Sequence, residues 1–68
     1  MEQVTIKVGG MSCQGCVKGV TSALQAVAGV QAVQVDLGAG EARVDFDPQH
    51  TGPAALRQAV ESAGFDAA

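Results

Sequence analysis

At 68 residues the chain holds one domain, and a domain this small buries only about 60% of its unfolded surface, so its core is thin. An apolar content of 47% is too high for disorder; seven acids against four bases, a net charge of −3 and no basic run exclude a nucleic-acid partner, and two aromatics, Phe46 and Phe65, make no base-stacking platform. No apolar run reaches the roughly 18 residues of a membrane span, and Met1-Glu2-Gln3 opens no export signal, so the expectation is a cytosolic protein with reduced cysteines.

Val4, Ile6 and Val8 alternate with Thr5 and Lys7, the pattern of a half-buried strand, which Gly9-Gly10 ends. Met11 to Gly15 reads as a loop. From Cys16 the period changes, and Val17, Val20, Leu24 and Val27 make the stripe of an amphipathic helix closed by Gly29. Gly19 inside that helix costs about 1 kcal/mol relative to Ala, and the sequence offers no reason for it. Val30 to Leu37 alternates again, with Val33, Val35 and Leu37 on one side. Gly38-Ala39-Gly40 supplies a turn, and Ala42, Val44 and Phe46 return as the second strand of a hairpin. Asp47-Pro48 stops it. Thr51-Gly52-Pro53 reads as a helix start with Pro in the first turn, and Leu56, Ala59, Val60 and Ala63 form that helix's apolar stripe. Gly64 closes it, leaving Phe65 to Ala68 as a short last strand or tail.

The order βαββαβ predicts an α+β, ferredoxin-like sandwich: two helices on one face of a four-stranded antiparallel sheet, with residues 1–68 as a single domain. This topology puts the Gly10–Gly15 loop, the Gly38–Gly40 turn, Gly64 and Phe65 at one end and His50 at the other.

Cys13 and Cys16 are the chemistry-bearing pair. Cys13 falls in the loop and Cys16 in the first helical turn, where unpaired N–H groups and the positive end of the helix dipole favour the thiolate, the metal-binding form. Two intervening residues let both sulfurs point at one ion. Soft thiolates select soft metals, Cu(I) above all, and two of them satisfy a monovalent d¹⁰ ion. A structural zinc site needs about four ligands, and this chain offers two Cys and one distant His. A two-ligand site stays open to a third ligand from a partner, which is the requirement for handing the ion on. Two other readings remain: a redox Cys-x-x-Cys, though no Trp or Tyr flanks it and the strand–helix order is not thioredoxin-like, and a structural disulfide, which would close a very small loop in a reducing compartment.

Gly10-Met11-Ser12-Cys13-Gln14-Gly15-Cys16 resembles the Gly-Met-Thr/Ser-Cys-x-x-Cys signature of the heavy-metal-associated (HMA) domain, and with Gly64-Phe65 near the end the resemblance covers essentially the whole chain. Met11 to Lys18 is similar in particular to CopZ-type bacterial copper chaperones. The resemblance implies that Cys13 and Cys16 bind Cu(I) and pass it to the matching HMA domains of a copper-transporting P-type ATPase. Some bacterial members of the family also deliver copper to a repressor or dimerise around copper.

Several neighbours complete the expected site. Met11 is either a soft thioether ligand or a core plug beneath the loop, and the family favours the plug. Ser12 stands where zinc-type relatives often carry Asp, which disfavours zinc. Gly15 separates the cysteines. Lys18, one turn into the helix, either balances the anionic site, meets an acidic partner, or is plain solvated surface. Phe65 occupies the position where such bacterial proteins commonly have Tyr or Phe, and would shield the site, pack as core, or both. His50 reads as a loop residue, and Asp45, Asp47, Glu61 and Asp66 as solvated faces. With no Ser/His/Asp set, carboxylate dyad or phosphate loop, the expectation is a protein that is not an enzyme. The rival functions are the metal-binding domain of a larger transporter, a carrier of Hg(II) or Zn(II), and a thiol oxidoreductase.

Overall fold

The structure, a computed structural model, describes residues 1–12 and 14–67. Strands β1 (Glu2–Gly9), β2 (Val30–Asp36), β3 (Glu41–Phe46) and β4 (Asp66–Ala67) alternate with helices α1 (Gln14–Gln25) and α2 (Pro53–Ser62) in the order βαββαβ. The strands form one sheet ordered β2-β3-β1-β4, and every neighbouring pair is antiparallel. This is the ferredoxin-like arrangement expected from the pattern.

The period-2 alternation sets the register. Val44 of β3 stands opposite Val4 of β1 and Val33 of β2, and Ala42 opposite Ile6 and Val35, so one face of the sheet is apolar throughout. That face and the stripes of both helices enclose the core: Ile6, Val8, Val20, Leu24, Ala42, Val44, Phe46, Leu56 and Val60. The opposite face carries polar cross-strand pairs. Gln3 donates to Asp45 at 2.9 Å, and Lys7 pairs with Glu41 at 3.0 Å. The Lys7 side chain is 68% exposed, so the pair contributes little to stability.

Element boundaries depart from the sequence reading at several places. Helix α1 begins at Gln14, not Cys16, so Gly15 is helical. Gln14 and Gly15 are exposed, and apolar periodicity cannot mark a first turn that faces solvent. The same helix ends at Gln25, and Val27 lies in the turn that follows, held by Val27 N to Leu24 O at 3.1 Å. Gly29 is therefore no helix cap. Its φ of +94° sets the turn into β2, and its carbonyl accepts from Asp47 N at 2.8 Å. Leu37 belongs to the Leu37–Gly40 turn rather than to β2, because Asp36 starts that turn: its Oδ1 accepts from Ala39 N and its carbonyl from Gly40 N. Ala63 caps α2 and is exposed, outside the apolar stripe.

The two ends of the sandwich separate as the topology predicts. Val8 N donates to Gly40 O at 2.8 Å, which brings the hairpin turn beside the end of β1. Asp47, His50 and Gly29 gather at the opposite end, beyond the Glu2–Phe46 pair. The eight residues of β1 hold these ends roughly 23 Å apart.

Candidate metal centre

Strand β1 delivers the chain to Gly10, and the loop that follows leads directly into α1. Gln14, Gly15 and Cys16 are the first three residues of that helix, so none of their backbone N–H groups has an acceptor within it. Those donors and the helix dipole make this a favourable place for an anion such as a thiolate. Cys16 is half-buried there. Cys13, the other expected ligand, lies outside the described residues.

The expected neighbours take distinct places. Ser12 is exposed, and its Oγ stands 3.9 Å from Cys16 Sγ, a weak hydrogen-bonding contact. Met11 is half-buried and packs against the core, as a plug beneath the loop would. Gly15 is exposed in the first turn. Lys18 is exposed, and among the described residues it joins no ion pair. Phe65 is half-buried, packs against the core, and reaches Gly10 at the start of the loop. The structure thus brings Ser12 and Cys16 together, and ties Phe65 to the base of the same loop.

His50 is not part of this assembly. Its Nδ1 lies 2.9 Å from Asp47 Oδ2, while Gln49 N donates to Asp47 Oδ1 at 3.0 Å. The Gln49 amide, followed by His50, holds the Asp47 carboxyl below the usual carboxylate range. The role of this group is to tie the β3–α2 connection at the far end of the sheet. Among the described residues no three His, Cys, Asp or Glu side chains gather at one place, and no helix is long and apolar enough to cross a membrane.

Sequence reasoning missed the contact that explains Gly19. The Cε2 and Cζ atoms of Phe65 each lie 3.8 Å from where a Gly19 Cβ would stand, so the helix passes the ring at its glycine. A glycine in a helix interior was the only signal for this contact in the sequence, and it did not say which residue lay opposite.

Comparison with known proteins matches this geometry along the whole chain. The copper chaperone CopZ of Bacillus subtilis (strain 168) is 44% identical over 68 residues, an alignment that covers 100% of this chain and 99% of the relative. Copper-transporting ATPase 1 of Mus musculus is 36% identical over 67 residues, 98% of this chain but only 4% of the transporter. A crystal structure of a copper binding domain from HMA7, a P-type ATPase, superposes with a TM-score of 0.98 at 35% identity, covering 100% of this chain and 92% of that one. The family model of the heavy-metal-associated domain matches residues 5–66. With the fold, the first-turn cysteine and these matches in agreement, the chain belongs to the heavy-metal-associated domain family.

Proposed function

We propose that the protein is a cytosolic Cu(I) chaperone, not an enzyme, which carries one Cu(I) between Cys13 and Cys16 and delivers it to the metal-binding domain of a copper-transporting P-type ATPase. The observation that carries this reading is the end-to-end similarity to the Bacillus subtilis copper chaperone, in a chain whose Cys16 stands in the first turn of α1. The similarity to a 4% segment of the mouse transporter supports the nature of the partner: a domain similar to this one within a copper-transporting ATPase.

The proposed transfer is ligand exchange without redox change. A partner thiolate forms a new sulfur–copper bond, and one of the carrier's own sulfur–copper bonds breaks. A second exchange completes the move, and copper stays +1 throughout. The open helix end meets the needs of this sequence. Its unpaired N–H groups stabilise the thiolate left behind, and the exposed Ser12, Gln14 and Gly15 leave room for an incoming group. Soft sulfur ligands favour Cu(I) over harder ions.

The test has two steps under reducing conditions. First, Cu(I), Zn(II) and Hg(II) compete for the apo protein; Cu(I) is expected to be held as one ion per chain and not displaced by Zn(II). Second, the loaded protein is mixed with an isolated HMA domain of a copper ATPase, and copper is followed by mass spectrometry. Movement of copper without passing through a chelator present in solution supports direct transfer. Copper that reaches the domain only through the chelator, or preferential loading with Zn(II), refutes the reading.

A further inference from the structure

The chain turns inward after Gly64, and the Phe65 ring settles between two glycines far apart in sequence. Its Cδ1 lies 3.7 Å from the position of a Cβ on Gly10, and its Cε2 and Cζ lie 3.8 Å from that of a Cβ on Gly19. Gly10 is the first residue past β1, and Gly19 is the sixth residue of α1. The ring therefore spans the two ends of the segment from Gly10 to Gly19, the stretch that holds both cysteines in sequence. Gly19 is exposed, and a glycine at such a helix position is unfavourable unless something makes use of the space. Here the Phe65 ring uses it.

We propose that Gly19 is a positioning residue for the metal-binding segment: its missing side chain leaves the slot in which Phe65 lies, and the ring in that slot braces the loop at Gly10 against α1. A single methyl fits, because 3.8 Å is ordinary van der Waals contact. A γ-methyl directed at the ring reaches roughly 1.5 Å further and falls inside the contact distance of about 3.5 Å. Valine cannot swing aside, since its χ1 is fixed in a helix. The ring must then press toward Gly10, where the chain turns out of β1 through the left-handed region at φ +91°. Side-chain size at position 19 thus sets how firmly the loop is held, and with it how fast a bound ion leaves. This inference rests on the copper-carrying reading for its kinetic consequence only.

The test is a cycle of Gly19→Ala, Gly19→Val, Phe65→Leu and the pairwise combinations in the full chain. Valine is no worse a helix former than glycine, so Gly19→Val keeps the fold. In the metal-free protein, amide exchange at Gly10 and Met11 is expected to match the parent in Gly19→Ala and to quicken in Gly19→Val. Release of Cu(I) to a chelator is expected to quicken roughly threefold or more in Gly19→Val. Both effects should vanish when Phe65→Leu is also present. Unchanged exchange and release in Gly19→Val overturn the proposal, as does an effect of equal size with and without Phe65→Leu. A parent protein that holds no Cu(I) sinks the copper reading alone, and metal-free exchange still decides this one.

Discussion

The Cβ that Gly29 lacks would stand 2.6 Å from the Cβ of His50, closer than two such atoms can approach. This contact joins the α1–β2 turn to the β3–α2 turn, and the Asp47 N to Gly29 O hydrogen bond lies beside it. Gly29→Ala therefore meets both a left-handed backbone and a backbone-mounted neighbour, and should lose about 2 kcal/mol or more of stability, read as a lower urea midpoint at unchanged slope. His50→Gly in the same chain should recover the part due to the clash and leave the part due to φ.

Replacing either Cys13 or Cys16 by Ser should abolish tight Cu(I) binding, with a loss of more than about a hundredfold, beyond what removing an outer contact costs. The metal-free fold should survive, since Cys16 is outside the buried core. Chelator competition and thermal unfolding of each variant check the two halves. A single-Ser variant that keeps parent affinity would show that the sulfurs are not the ligand pair.

Ser12→Ala probes the 3.9 Å contact to Cys16. A weak hydrogen bond lost at an exposed site should lower Cu(I) affinity by no more than about tenfold and leave stability unchanged. A larger loss would place the hydroxyl among the ligands.

The Asp47 knot gives the protein an acid-sensitive contribution to stability. The folded carboxyl titrates below the ordinary value because Gln49 N and His50 favour its charged form. A depressed folded pKa means that this contribution is complete above the unfolded carboxylate range and is lost as pH falls through the lower folded value. Unfolding midpoints measured from neutral to strongly acid pH should fall more steeply for the parent than for Asp47→Asn. His50→Ala should reduce the difference while leaving Cu(I) affinity unchanged, because the imidazole sits at the far end of the sheet.

Much of this was legible from the sequence, for identifiable reasons. Ile6, Val44 and Phe46 alternate with polar neighbours because one face of the sheet is buried, and Val20 and Leu24 keep helical spacing because α1 lies on that face. The Cys-x-x-Cys spacing marks the chemistry-bearing pair, while the choice of metal over redox or disulfide chemistry draws on its strand–loop–helix setting and on the family resemblance. Hidden features depend on exposure or on distant contacts. The solvent-facing start of α1 carries no apolar mark, and Val27 keeps helical spacing although the helix has ended. Gly19 is explained by a ring 46 positions away, and Gly29 by its left-handed turn together with His50 across the fold.

The two flanks of β1 are paired unequally. Among the described residues, six register pairs bind β1 to β3, while Val8–Ala67 and Gly9–Asp66 bind β1 to β4. The strand that carries the cysteine loop is thus anchored in the sheet's interior, while the tail bearing Phe65 joins the sheet through the short edge strand β4. Peeling that tail away would uncover the floor of the loop and leave the hairpin and its neighbour zipped, so the molecule can loosen its grip locally without melting.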